Sequence, residues 1–440
     1  MTILNELEKV LRVSDEQMEY FLEDENIDLT KEYTRKGIEK DNTLYCCDNL
    51  KSLIHLIKNG YKDKIDLVYI DPPFYSNSQY YKKVSVNVEG LKKDFEVLAY
   101  GDKWESKYQY LEMLTLRLKL IKILLSNKGS IYVHVDQRMA HYLRIIMDHI
   151  FGEENFINEI IWSYKSGGST KKRFSKKHDN ILVYSKTKDY IFNPQKEKSY
   201  NRGYKPYRFK NVEEFQDDLG WYTMVNMKDV WSIDMVGRTS GERVGYDTQK
   251  PYALLKRIIL ASSNEDSLVA DFFLGSGTTI RVADDLNRRW IGSDIEAISI
   301  STTKKRLALS EYDYLVYVDE ELGSRENVSL DLSYNIGVDE ISLRLKNYHL
   351  NDTSIFKKTN HVDEFLSLEK DNSLELIDYI SVIGVNNKSE LLLEKHKPDI
   401  SDGEFTIKLN ENYTYIYLRG FDVFGNMIKY ILKGGEEIGN

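Results

Sequence analysis

The run Ile65-Asp-Leu-Val-Tyr-Ile70, followed at once by Asp71-Pro72-Pro73-Phe74, constrains this chain more than any other segment. Mostly apolar residues with β-branched ends read as a buried strand. Two prolines in succession then remove two ladder donors and fix φ, so the strand has to stop and the chain has to turn stiffly. A carboxylate and a flat apolar ring are thereby held side by side at a strand end.

Around that strand the sequence alternates between short apolar runs and amphipathic stretches. Residues 44–47 form a short run. Asp48 and Asn49 then supply a helix N-cap for residues 50–59, with Gly60 as the stop. Leu111, Leu114, Leu118, Ile121 and Leu125 recur at helical spacing over residues 107–127, which Gly129 is expected to end. Residues 130–135 read as a strand and 139–151 as a helix. The rhythm stops near Ser163 and resumes at 251–262 (helix), 267–271 (strand), 278–286 (helix), 290–294 (strand) and 296–309 (helix). Such alternation predicts an α/β fold, a mostly parallel sheet covered by helices on both faces.

Four regions follow from this pattern. Residues 1–40 read as short helices and turns. Residues 41–162 and 247–310 form the two halves of one sheet, and 163–246, polar, basic and aromatic with Gly167-Gly168, reads as an insertion between them. Residues 311–440 alternate with period two, as in Glu404-Phe-Thr-Ile-Lys-Leu and Tyr413-Thr-Tyr-Ile-Tyr-Leu, with a turn at Phe424-Gly-Asn, and predict a separate, mainly β domain.

With 440 residues, 41% of them hydrophobic, the chain has material for two or three cores. No apolar run approaches the ~20 residues of a membrane span, and the first residues lack the apolar core of a signal peptide. The two cysteines, Cys46 and Cys47, are adjacent, which leaves neither a disulfide framework nor a cysteine-based zinc site, and no metal is expected. A reducing, cytoplasmic setting fits. The net charge of −9 is unevenly spread. Residues 165–210 hold 14 Lys/Arg against three Asp/Glu, whereas residues 311–440 hold 25 acids against 13 bases. A basic island in an acidic chain is the footprint of a phosphate-backbone partner, although a lysine-rich solvated loop would look the same.

The Asp71 loop suits a planar base carrying an exocyclic amine. Asp71 and a backbone carbonyl, that of Pro72, can accept the amine hydrogens while Phe74, with Tyr75 beside it, stacks on the ring. The second anchor is Asp271-Phe-Phe-Leu-Gly-Ser-Gly-Thr-Thr279, where a strand ends, glycines allow close approach of a ligand and a helix opens. The absence of a third glycine and of Gly-Lys-Ser/Thr disfavours a dinucleotide or ATP. Asp294, at the end of the next strand, is placed to accept two ribose hydroxyls. His134, inside an apolar strand, reads as a packed core histidine, and Trp104 and Trp231 read as framework.

Acid–Pro–Pro loop first, glycine loop some 200 residues later and a basic insertion between them: in this order the chain resembles the bacterial adenine-N6 DNA methyltransferases of the β arrangement, including orphan enzymes and the modification subunits of type III restriction systems. The resemblance covers roughly residues 41–310. Its further matching segments are Cys47-Asp-Asn-Leu50, Tyr100-Gly-Asp-Lys-Trp104, Gly129-Ser-Ile-Tyr-Val-His-Val-Asp136, Phe151-Gly-Glu-Glu-Asn-Phe156, Lys177-His-Asp-Asn-Ile-Leu-Val-Tyr184, Asp229-Val-Trp231 and Tyr246-Asp-Thr-Gln-Lys-Pro251. It implies a Rossmann-like methyltransferase sheet using S-adenosylmethionine. Asp71, Pro72, Pro73 and Phe74 would be the catalytic loop. Asp271, Phe273, Gly275, Ser276, Gly277 and Thr278 would hold the cofactor, Asp294 its ribose and Asp48 its adenine amine. Thr248, Gln249, Lys250 and Pro251 would cap its methionine end. Phe272 stands where the family usually has proline, which would loosen the loop.

The same resemblance implies double-stranded DNA as substrate, with the target adenine flipped out of the duplex. Residues 163–246 would then recognise the target. Lys171, Lys172, Arg173, Lys176 and Lys177 would hold phosphates, and Arg202, Arg208, Arg238 or Arg243 would read guanines. The acidic C-terminal region would serve a dimer contact or a restriction subunit. Two alternatives stay open. Cytosine N4 methylation uses the same loop, although Asp rather than Ser at position 71 favours adenine. A non-catalytic DNA- or partner-binding module on this fold would have no use for both intact loops. Cytosine C5 methylation needs a Pro-Cys nucleophile, and neither cysteine follows a proline.

Overall fold

The structure, a computed structural model, describes residues 3–23, 27, 29–35, 42–88, 91–165, 170–237, 239–246, 248–308, 314–319, 327–356, 359–385, 390–397, 403–409 and 413–433. Gly167, Gly168 and Arg238 lie outside them.

The centre of the molecule is the parallel set β2 (Thr43–Cys46), β3 (Ile65–Ile70), β6 (Leu125–Val135), β13 (Leu268–Asp271), β14 (Arg289–Asp294) and β15 (Leu315–Val318), in the spatial order β6-β3-β13-β14-β2-β15. Val269 and Ala270 stand opposite Leu67 and Val68, Asp271 opposite Gly292, and Asp294 opposite Cys46. The carboxyl ends of β3, β13, β14 and β2 therefore lie in a row. Chain order reverses between β3 and β13, and in open α/β sheets that reversal opens a crevice beyond the strand ends.

Alternation along each strand sends side chains to two cores. Val68, Ile70, Ile131 and Ala270 face helices α1 (Ile3–Glu23), α2 (Asn49–Lys58), α3 (Lys107–Leu124) and α4 (Ala140–Phe151). Leu67, Tyr69, Tyr132 and Val269 face α5 (Tyr252–Ser262), α6 (Thr278–Asp285) and α7 (Ala297–Ala308). This is the doubly covered sheet that the apolar runs predict.

Several elements depart from the sequence pattern. Helix α3 stops at Leu124, not near residue 127, because Leu125 already begins β6; its burial in the strand had continued the helical spacing. Gly129 is thus no helix stop. It sits where a Cβ would come within 2.8 Å of the Ile65 carbonyl oxygen, so only a glycine lets the two strands approach there. The sheet also does not break off throughout 163–246. Strand β8 (His178–Ser185) lies inside it, antiparallel both to β6 and to β7 (Phe156–Ser163), and β12 (Val230–Ser232) pairs with β7 at the edge. What stands apart in this region is a small antiparallel sheet of β9 (Lys196–Tyr200), β10 (Glu214–Asp217) and β11 (Gly220–Asn226). The first forty residues are not short helices: α1 is one long helix packed on α3, and β1 (Thr30–Arg35) joins β15.

The long hairpin of β4 (Ser78–Val88) and β5 (Leu91–Asp102) is not among the elements read from the sequence above. Its buried Val84, Val86, Phe95 and Val97 belong to a third core with the C-terminal strands β16 (Val328–Ile336), β17 (Glu340–Leu350), β18 (Ile377–Val385), β20 (Glu404–Lys408), β21 (Tyr415–Asp422) and β22 (Met427–Lys433) and with α8 (Thr359–Asn372). Strand β19 (Glu390–Lys397) pairs in parallel with β1 and antiparallel with β18, joining the C-terminal strands to the main sheet.

The turn at Phe424-Gly-Asn presses this third core against α7. Gly425 has φ +93°, and a Cβ there would stand 2.7 Å from the Ile298 Cα. Gly425→Ala meets both a left-handed backbone and a backbone clash, and is expected to cost roughly 2–3 kcal/mol. Scanning calorimetry should show a lower Tm; an unchanged Tm would mean that the turn does not pack on α7.

Candidate functional site

A cleft of about 600 Å³ opens beyond the aligned strand ends. Asp71, Pro72, Pro73 and Phe74 form one wall, directly after β3. The far end of this loop is clamped: the buried Asp102 carboxylate accepts from the Ser76 backbone N–H at 2.6 Å and from Trp104 Nε1 at 2.8 Å. That pairing is the physical content of the Tyr100-Gly-Asp-Lys-Trp104 segment. Tyr75 and Asn77 take positive φ at 54° each, which makes the loop a tight and strained turn.

Asp71 is the most constrained group in the cleft. Its Oδ2 pairs with the Lys250 ammonium, which also lies 5.7 Å from the centre of the Phe74 ring. Its Oδ1 is buried and accepts no hydrogen bond among the described residues; His134 Nδ1 is 3.5 Å away. Lys250 lines the cleft, and its side chain reaches the Asp71 loop. The four-carbon stem of a lysine spans that distance; the sequence shows only where the stem starts.

The opposite wall is the glycine loop. Asp271 Oδ1 accepts from the Phe273 N–H at 3.0 Å, and Oδ2 accepts from the Thr279 hydroxyl, so the acid braces the turn into α6. The Gly275 N–H donates to Asp294 Oδ2 at 2.7 Å and the Glu296 N–H to Oδ1 at 2.9 Å. Gly275 and Gly277 both have positive φ, but for different ends. A Cβ on Gly277 would strike Thr303 Oγ1 at 2.6 Å, a packing constraint, whereas one on Gly275 would meet nothing closer than Tyr246 at 3.6 Å and would fill the cleft itself. Burial pushes the Asp271 carboxyl up to about 7 and the Asp294 carboxyl up to about 6, against the hydrogen bonds that each accepts.

Phe272 is fully buried in the core below the loop, and its carbonyl accepts from Asn49 Nδ2 at 2.8 Å. It anchors the loop where looseness was expected. Phe273, Ser276 and Thr278 line the cleft, as do Asp48, Thr248 and Gln249. Asp48 caps α2 through the Leu50 N–H at 2.7 Å and pairs with Arg117 at 2.8 Å. The Gln249 amide is spent on the backbone of Glu242 and Val244, and Pro251 is buried at the start of α5, outside the cleft lining. These two hold the segment in place.

Sequence alone gave no role to one group beside the cleft. The His134 Nδ1 lies 2.9 Å from the Tyr69 hydroxyl, its Nε2 3.3 Å from Asp179 Oδ2, and Asp179 Oδ1 accepts from the Tyr164 hydroxyl at 3.2 Å. Asp179 and Tyr164 border the basic segment at both ends, and the Tyr164 N–H donates to the Lys177 carbonyl at 3.0 Å. The loop therefore rises from the rim of the cleft. Lys171, Lys172, Arg173 and Lys176 are exposed on it, Lys177 is half-buried and reaches the Lys165 carbonyl, and the Phe174 ring is 99% exposed. Arg202 and Arg208 are exposed at the small sheet, and Arg243 is half-buried.

Residues 65–305, more than half of the chain, match the DNA methylase family. The type II methyltransferase M.HpaI of Haemophilus parainfluenzae is 30% identical over 76% of this chain and 98% of its own length. The DNA adenine methyltransferase YhdJ of Escherichia coli is 28% identical over 59% of this chain and 80% of its own. The Mod subunit of the type III restriction-modification enzyme StyLTI of Salmonella typhimurium is 26% identical over 60% and 54%. The match runs from the first residue of β3 to α7 and so takes in both walls of the cleft: this chain belongs to the DNA methylase family, enzymes that transfer a methyl group from S-adenosylmethionine to DNA.

Proposed function

We propose that the chain methylates the N6 amine of an adenine flipped out of duplex DNA, with Asp71 as the acceptor of an amine hydrogen. One observation carries this reading: the Asp71 carboxylate lies at the end of β3, between the Phe74 ring and a glycine loop built on the neighbouring strand. An amine on an aromatic ring is a weak nucleophile because its lone pair is delocalised. Acceptors at Asp71 and at the Pro72 carbonyl favour the pyramidal nitrogen, an interaction that strengthens as the nitrogen attacks. A carboxylate oxygen has two acceptor sites, so Oδ2 can keep Lys250 and still take an amine hydrogen. The ammonium fixes the carboxylate rotamer before the base arrives. Asp rather than Ser at position 71 and the similarity to an adenine methyltransferase favour adenine over cytosine N4.

The residues present fit the cofactor. Bound S-adenosylmethionine supplies an electrophilic methyl group on a sulfonium. Gly275 leaves its side of the cleft open, Asp294 has a carboxylate for ribose hydroxyls, and Asp48 lines the same cleft. Two recessed carboxyls with raised values suit a ligand that brings positive charge. The exposed cations of residues 171–176 support a phosphate grip at the rim, and the small sheet beyond it supports a target-reading region. No helix among the described residues is long and apolar enough to cross a membrane, and the proposed setting is the cytoplasm. The acidic C-terminal region is the proposed contact for a second copy or for a restriction subunit, the latter in view of the similarity to a Mod subunit.

Asp71→Ala should lower methyl transfer to DNA by at least about a thousandfold while calorimetry shows cofactor affinity within a factor of about three of wild type. Transfer persisting within tenfold would remove Asp71 from the reaction.

Cofactor affinity should depend on pH through Asp271 and Asp294. Both are ionised above about 7 and become neutral as the pH falls through about 7 and about 6, so a cationic ligand is held more weakly in acid. Calorimetry should show a loss of about tenfold between pH 8 and pH 5, and Asp294→Asn should flatten it. An affinity independent of pH in wild type would place the cofactor elsewhere.

Replacing Lys171, Lys172, Arg173, Lys176 and Lys177 with Gln should weaken binding to every duplex sequence, with cofactor affinity unchanged. Every phosphate that goes unneutralised lowers the slope of log affinity against log salt by about 0.9. A titration at several salt concentrations in which the slope stays at the wild-type value would move the DNA grip to another surface.

A further inference from the structure

Methylation of an amine leaves a proton to be disposed of, and the cleft holds a buried chain of groups leading away from Asp71. Tyr69, on β3, and His134, on β6, are fully buried. The imidazole packs edge-on against Trp162 at 5.3 Å and beside Phe74 at 5.6 Å. The groups facing it are Asp71 Oδ1, the Tyr69 hydroxyl and Asp179; Lys250 lies beyond Asp71 and Tyr164 beyond Asp179. Burial alone would push the Asp179 carboxyl up, but the hydrogen bond and charge of a protonated His134, the charge of Lys250 and the hydrogen bond from Tyr164 outweigh it and hold it below the ordinary carboxylate range. An ionised Asp179 only accepts, so the imidazole Nε2 carries a hydrogen, and in the neutral ring Nδ1 is then the base. Asp71 Oδ1, which accepts no hydrogen bond among the described residues, lies 3.5 Å from that nitrogen.

We propose that His134, held by Asp179, is the relay that takes the proton shed by the target amine, receiving it through Asp71. The proposal rests on the amine-methylation reading above. As the nitrogen–carbon bond forms and the carbon–sulfur bond breaks, the sulfonium becomes a neutral thioether and the positive charge passes to the amine nitrogen. The amine gives one hydrogen to Asp71 Oδ2. The carboxyl, now neutral, loses its pull on Lys250 and turns about Cβ–Cγ, a soft two-fold torsion. It then gives the proton to Nδ1 of His134 and regains its charge. Before that transfer the Tyr69 hydroxyl, which had donated to Nδ1, turns its hydrogen away and frees the lone pair, and afterwards its oxygen accepts from the Nδ1–H. The products are a neutral methylated amine, a neutral thioether, an anionic Asp71 and an imidazolium facing Asp179, whose carboxylate borders the cleft and its water. Asp179 thus serves as an orienting and stabilising carboxylate for a histidine, a pairing familiar in acyl transfer. His134 touches no substrate atom and is a positioning and relay residue.

The test is single-turnover methyl transfer to duplex DNA, with labelled cofactor held saturating at every pH so that the Asp271 and Asp294 dependence of binding drops out, from about pH 5.5 to about pH 9, where a histidine titrates. A relay that needs a free Nδ1 gives a wild-type rate that rises with pH and then levels off. His134→Gln should reduce the plateau about 10- to 100-fold and lose the acid limb, with cofactor affinity and KM for DNA unchanged. Asp179→Asn, at the cleft edge, keeps the question open to experiment if the buried substitution does not fold. It removes the counter-charge and should shift the limb to lower pH, and Asp179→Glu should restore it. Wild-type rate and limb in His134→Gln, or a limb that stays in place in Asp179→Asn, would overturn the relay while leaving the methylation reading intact. A wild-type protein that binds duplex and cofactor but methylates no DNA would overturn that reading, and the relay with it.

Discussion

The parallel pairing of Val269 and Ala270 with Leu67 and Val68 is the contact on which everything else in this molecule depends. Two segments some 200 residues apart are brought to adjacent strands, and their ends fall level with each other. Because the chain order reverses there, connections leave to opposite sides and the space beyond the strand tips stays open. The acid of one strand and the glycines of the next then face each other across it with no further device. A slip of one residue in this register would turn Tyr69 and Val68 to the wrong cores and Asp71 away from the cleft.

What that alignment creates is also an electrostatic problem. Asp48, Asp71, Asp179, Asp271 and Asp294 all border one cleft. Each is managed in its own way: Asp48 by a helix N-terminus and Arg117, Asp71 by Lys250, Asp179 by His134 and Tyr164, and Asp271 and Asp294 by backbone N–H groups that only partly offset burial. The two walls therefore differ in charge. The Asp71 wall carries its own counter-cation, and the glycine wall lacks one among the hydrogen bonds of its two acids. The proposed placement follows that difference, a neutral base on the first and a cationic cofactor on the second.

Much of this was legible in the sequence because it is local. Strand β3 and its Pro-Pro stop, the Asp48 cap of α2, the glycine turn into α6 and Asp294 at the end of β14 each rest on residues within one element of each other. What escaped depends on partners far along the chain. The β4–β5 hairpin has the right alternation in Val84 and Val86 and in Phe95 and Val97, but its apolar face is buried by residues more than 200 positions later. His134 read as core because its strand is core; only Asp71, Asp179 and the two tyrosines, from three other stretches of chain, give it another aspect. The Lys250–Asp71 pair joins residues 179 positions apart, and the segment alone shows only where the side chain starts. Gly129 and Leu125 misled for the converse reason: a glycine after an apolar run looks like a helix stop whether or not a neighbouring strand needs the space.

The hairpin carries a consequence beyond packing. One of its ends, through Asp102, fastens the turn that follows Asp71. Its middle, through Phe95, is wedged among Phe356, His361 and Phe424 in the third core. The catalytic turn and the C-terminal region are therefore in mechanical series, joined by two hydrogen-bonded strands. The path from the aromatic wedge to the turn after Asp71 runs along the two-stranded β4–β5 sheet and not through the main sheet. An aiming error of about 1 Å is enough to cost a hundredfold in rate. If the Asp71 turn is the site of reaction as proposed, packing in the C-terminal region sets its aim through those two strands.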